Sequence, residues 1–110
     1  MTEIVTIAER KARAAQRLAA AVDAVMADLR RFASERGGRF LVFGSAAKGT
    51  LGYDSDLDVL IDVPPELETE AWDTVEEACR THGIRPDIHS TATAAPSFVA
   101  RASAEAVVLE

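Results

Sequence analysis

The chain has 110 residues, 48% of them hydrophobic, which suffices for one domain with one core and not for two; no apolar run approaches the ~20 residues of a membrane span. Its net charge of -6 is unevenly spread, with nine Lys/Arg against five Asp/Glu in residues 1–50 and three against thirteen in residues 51–110. So acidic a second half excludes a broad grip on a nucleic-acid backbone and favours cations or a basic partner.

The first residues, MTEIVTIAERKAR, lack the basic-then-apolar order of a secretory signal, and the lone Cys79 suits a reducing compartment. Both point to the cytoplasm. Leu18, Val22, Val25, Leu29 and Phe32 recur at helical spacing and predict an amphipathic helix that stops at Gly37-Gly38. The pattern continues upstream through Ile4, Ile7, Ala12 and Ala15. A helix from 4 to 36 would be about 50 Å long, more than a small domain's width. Part of it must project, fray or pack against another chain. Residues 1–17 therefore read as a helical extension and as a route to a homo-oligomer.

RFLVFG (39–44) predicts a strand stopped by glycine, SAAKG (45–49) one helical turn, and TLGYDS (50–55) a loop. DLDVLIDV (56–63) is a second strand, halted by Pro64-Pro65. Residues 66–82 place Leu67, Val75, Ala78 and either Ala71 or Trp72 on one helical face, with Gly83 as the stop. IRPDIHS (84–90) predicts a third strand, and Pro96 opens a last helix before the apolar tail AVVLE. The order α-β-α-β-α-β-α gives one α/β (α+β) domain over residues 1–110, a small mixed sheet of three to four strands flanked by helices.

The second strand is where chemistry enters. Alternation puts Asp56, Asp58 and Asp62 on one face with Leu60, while Leu57, Val59, Ile61 and Val63 face the core. Carboxylates at i and i+2 stand roughly 6–7 Å apart and can converge on one ion. All-oxygen ligands suit Mg²⁺ or Mn²⁺ better than zinc. A D-x-D pair alone is equally a charged strand edge or a cap. Its neighbours add weight. Gly44-Ser45 follows a strand and opens a helical turn, where free backbone N–H groups can cradle an anion. Ser45 adds a hydroxyl suited to cap the turn, and Lys48 brings a point charge one turn on. A phosphate cradle beside a metal-binding carboxylate pair is what nucleoside triphosphate chemistry needs.

FGSAAKGTLGYDSDLDVLI (43–61) resembles the signature of the polymerase-β-like nucleotidyltransferase superfamily: Gly-Ser, ten residues, then Asp-x-Asp, here Gly44-Ser45 and Asp56-Leu57-Asp58. Length and pattern over roughly residues 18–109 are similar to its minimal nucleotidyltransferase (MNT) branch. The resemblance implies a third metal-associated acid on the next strand. Asp87 is the only acid between Glu77 and Glu105 and takes that place. It further implies that Asp56, Asp58 and Asp87 hold two Mg²⁺ (or Mn²⁺) ions and that Gly44 and Ser45, with Lys48, hold the triphosphate of ATP or another NTP. Many relatives carry arginines in the turn where this chain has Ala46, Ala47 and Lys48. That departure weakens the expected grip on the triphosphate, since lysine lacks the bidentate fork.

MNT proteins are commonly antitoxins paired with HEPN-domain toxins and can adenylylate a toxin tyrosine, so the resemblance implies AMP transfer to a hydroxyl on a HEPN-type partner protein. Two alternatives stand beside it: a module that neutralises a partner by docking alone, and transfer to a small-molecule antibiotic. The remaining polar residues read as ordinary. Asp62, about 13 Å beyond Asp58 along the strand, is a strand-end charge. Asp54 and Ser55 shape a turn, Trp72 packs, and His82 complements a helix end. Tyr53 and His89 are surface or strand residues with a secondary reading as substrate contacts. The acids of residues 66–77 form a solvated helix face or a docking surface for a basic partner.

Overall fold

The computed structural model describes residues 5–110; the expected helix start at Ile4 lies outside them. The first helix, α1, runs Ile7–Arg36, and Thr6 caps it by accepting the Glu9 N–H at 3.1 Å. Thirty residues make it about 45 Å long, and the molecule measures 58 Å along its longest axis. Val22, Val25, Leu29 and Ala33 are its buried stripe, whereas Lys11 to Arg13 are exposed and Ile7 is 71% exposed.

Strand β1 (Arg39–Phe43) leads through the single-turn helix α2 (Ser45–Lys48) and a loop to strand β2 (Leu57–Asp62). A short 3-10 turn, Pro65–Leu67, precedes helix α3 (Glu68–Thr81). Strand β3 (Pro86–Ser90), helix α4 (Pro96–Ala104) and strand β4 (Val107–Leu109) complete the fold. The sheet order is β3-β2-β1-β4, with β1 antiparallel to β2 and β4, and β2 parallel to β3. This is the mixed α+β architecture expected, with the four-strand end of the expected range. The apolar tail is the fourth strand, because alternation turns Val107 and Leu109 inward against Val42 and Phe40.

The two sheet faces are covered unequally. Phe40, Val42, Leu57, Val59, Ile61 and Leu109 pack under α1 and α3 in the main core. Between Ala71 and Trp72, alanine takes the buried position. Trp72 is half-buried, and its indole N–H donates to Glu68 Oε1 at 3.2 Å. On the other face Leu41 and Leu60 are covered by α4 through Ala102, with Phe43, Phe98 and Val99 around them. Asp58, Asp87 and His89 lie on this second, partly open face. Polar residues are therefore tolerated within β2 because one of its faces is only half covered.

Cys79 is fully buried on α3, and burial pushes its thiol up to about 11. It is expected to ignore a thiol-specific reagent at pH 8 while the protein is folded and to react fully in denaturant. Fast labelling of the native protein would mean that α3 opens far more readily than its packing implies.

Candidate active site

The site forms where β1 ends and β2 and β3 begin. Gly44 follows β1 and caps α2 with φ +68° and ψ -144°, a conformation that side chains other than hydrogen disfavour. The turn it starts is closed by backbone bonds from Lys48 N–H to Gly44 O at 3.1 Å and from Thr50 N–H to Ser45 O at 3.0 Å. Ser45 is the first residue of α2 rather than its cap, and no side chain caps this turn. The expected capping role of its hydroxyl is thus not met, because glycine already occupies the capping position and the hydroxyl is left for other partners.

Antiparallel register sets Phe43 opposite Asp58, and parallel register sets Asp58 opposite Asp87. The three segments therefore converge. A Cβ built on Gly44 would stand 2.1 Å from Asp58 Oδ2, so only glycine lets the chain pass this carboxylate. Asp58 is held above the usual carboxylate range, first by burial, then by the charge of Asp87 and a side-chain hydrogen bond with it, then by the charge of Asp56; His89 pulls the other way. Asp58 and Asp87 are thus a close acid pair on one sheet face.

Asp56 sits just before β2 rather than in it. It is exposed and forms an ion pair with Arg85, Nε to Oδ1 at 3.0 Å, while Arg85 Nη2 donates to Asp54 O at 2.9 Å. Asp87 Oδ1 faces His89 Nε2 at 3.3 Å. With Asp56 and Asp87 so engaged, no three His, Cys, Asp or Glu side chains among the described residues are gathered as one metal site. The donor set nonetheless fits a hard divalent cation: the acids supply only oxygen, Asp58 and Asp87 repel each other, and Gly44 clears the approach to Asp58 Oδ2.

Lys48 lies at the rim, its Nζ 3.6 Å from Glu105 Oε2. It lines a hollow of about 200 Å³ with Phe43, Gly44, Phe98, Arg101 and Glu105. Phe98 also stands over His89, ring centroids 4.6 Å apart. Arg85, Phe98 and Arg101 are not among the site residues expected from the sequence. Arg85 alone had a usable clue, sharing Asp87's alternation just upstream, whereas Phe98 and Arg101 arrive only through the packing of α4. The other acids keep modest places. Asp62 accepts from Arg39 Nε at 2.8 Å and from Thr91 Oγ1 at 3.1 Å, and Ser55 Oγ accepts the Gly52 N–H at 2.8 Å in the loop before β2. His82 ends α3 with Nε2 3.7 Å from Asp28 Oδ2.

Among the described residues, no helix is long and apolar enough to cross a membrane. No curated protein matches the chain. A family model described as a nucleotidyltransferase domain matches residues 26–108, from the middle of α1 into β4 and including the whole Gly44-to-Asp87 site. The chain therefore belongs to the nucleotidyltransferase domain family, whose chemistry is nucleotidyl transfer from a nucleoside triphosphate with divalent metal.

Proposed function

We propose that the chain transfers AMP from ATP to a hydroxyl on a partner protein, as the MNT antitoxin of a HEPN/MNT pair, with residues 1–110 acting as one domain and 1–17 as its extension. The observation that carries this reading is the close approach of Gly44 to Asp58, itself in register with Asp87. It joins an anion-binding turn to an acid pair at one point.

Asp56, Asp58 and Asp87 would hold two Mg²⁺ (or Mn²⁺) ions through their carboxylate oxygens, Asp56 after turning from Arg85. When bound, those cations neutralise the phosphates and ease loss of the acceptor's proton. Gly44 and Ser45 present backbone N–H groups and a hydroxyl to the triphosphate, and Lys48 adds one positive charge. The acceptor oxygen bonds to the α-phosphorus as the bond from that phosphorus to the bridging oxygen breaks, and pyrophosphate leaves. Asp87 takes the acceptor's proton at a carboxylate oxygen. The chain's contribution is positioning and electrostatics, the two terms that dominate phosphoryl-group transfer. The half-open sheet face beside Asp58 suits a macromolecular acceptor that brings its own hydroxyl.

Incubation of the protein with α-labelled ATP, Mg²⁺ and a HEPN-domain partner is expected to label the partner. The label should vanish for Asp56→Ala/Asp58→Ala. A tight, unlabelled complex that this double variant leaves unchanged would replace transfer by docking as the function.

A further inference from the structure

The flank of α1 that borders α3, on which Ala21 also packs against the main core, carries a charge pattern that complements its own reverse. Arg10, Arg17, Ala21, Ala24, Asp28 and Glu35 are separated by seven, four, three, four and seven residues, and so lie along one side of the helix. This side is distinct from the buried stripe of Val22, Val25, Leu29 and Ala33. Arg10, Arg17 and Glu35 are exposed and make no ion pair among the described residues. Asp28 is half-buried and fixed between Arg31 at 3.3 Å and His82 at 3.7 Å.

Two hollows border this side. One of about 520 Å³ lies between α1 and α3, where Asp28, Glu35, Asp73 and Glu77 face a single base, Arg31, beside the half-buried Phe32. The other, of about 320 Å³, lies further up α1 next to Arg17, Ala21, Tyr53 and His82. The projecting first half of α1 is the opposite in character, with Arg10, Lys11, Arg13 and Arg17 against Glu9.

We propose that this face is a self-complementary interface: two copies of the chain pair antiparallel through α1, the basic first half of each helix seated in the acidic α1–α3 groove of the other. With the two-fold axis between positions 22 and 23, Arg10 meets Glu35, Arg17 meets Asp28, and Ala21 meets Ala24, each pair occurring twice. Parallel pairing in register would instead set Arg10 on Arg10 and Glu35 on Glu35. Alanines at the crossing let the axes approach toward the short end of the ~8–10 Å range. The exposed Ile7 then reaches the partner's Gly37-Gly38 turn. The acid pair lies on the opposite sheet face, so the pairing leaves both sites open and does not depend on the nucleotidyl-transfer reading.

Sedimentation of the full chain tests it. The wild type is expected at twice the mass of one chain, with an association that weakens as salt is raised. Arg10→Glu/Arg17→Glu and Asp28→Lys/Glu35→Lys should each weaken it by roughly 10²-fold or more, since like charges then face each other at four crossings. An equimolar mixture of the two variants restores opposite charges at every crossing and should sediment as a heterodimer. Because Asp28 has partners within its own chain, Arg10→Glu mixed with Glu35→Lys repeats the test at positions that have none among the described residues. A monomeric wild type, dimers unaffected by reversal, or mixtures of folded variants that stay monomeric would overturn the proposal.

Discussion

Replacing Gly44 with alanine is expected to lower nucleotidyl transfer by on the order of 10²–10³-fold while costing the fold about 1–3 kcal/mol. The two effects have separate causes. The stability loss comes from the backbone, since φ +68° with ψ -144° is a region that only glycine occupies cheaply. The activity loss comes from the new Cβ, which would meet Asp58 Oδ2 at 2.1 Å and Asp58 Cγ at 3.1 Å. A carboxylate is the flexible end of its side chain, so Asp58 would swing aside at little cost to stability. It would then no longer face Asp87. Gly49→Ala is the matched control: Gly49 also has positive φ, +71°, but nothing lies within 4 Å of its built Cβ. That variant should melt earlier yet keep most of its activity. Equal inactivation of both would show that the turn's backbone, and not the displaced carboxylate, explains the loss.

That contrast between local and distant causes also governs what could be read before folding. Gly44-Ser45 and Asp56-x-Asp58 lie within fifteen residues on one strand–turn–strand unit, so spacing and alternation placed Asp58 beside the turn. Leu57, Val59 and Ile61 announced the buried side of β2 by the same alternation. Three features resisted. The strand Val107–Leu109 is too short to show a period of its own and exists because β1 offers an open edge. Alternation puts Asp56 in the strand, whereas β2 starts one residue later and Asp56 pairs with Arg85, a contact between segments far apart in the chain. The hollow at Lys48 depends on Phe98 and Arg101 of α4, whose placement follows from Ala102 packing on Leu41 and Leu60. Local chemistry was legible and long-range company was not.

Asp58→Asn is expected to abolish transfer and, without divalent cation, to raise the melting temperature at neutral pH by about 2–4 °C, a fraction of what 1 kcal/mol does for a domain of this size. Burial, Asp87 and Asp56 hold the Asp58 carboxyl above its ordinary range, so the folded state binds this proton more tightly than the unfolded chain does. Stability from this group is therefore full below the ordinary carboxylate range and is lost as pH rises through the raised value. Above that value the wild type carries a charge that its surroundings disfavour, and asparagine avoids it at nearly constant shape. Carboxylates away from the site add slopes common to both proteins, so the difference between their melting curves isolates Asp58 together with the neighbours coupled to it. Thermal melts with EDTA at a series of pH values should show the variant's advantage at neutral pH and its disappearance toward acid. Added Mg²⁺ or Mn²⁺ should then stabilise the wild type more than the variant, because a cation between Asp58 and Asp87 turns repulsion into attraction. A variant that gains as much from the metal as the wild type would remove Asp58 from the ligand set.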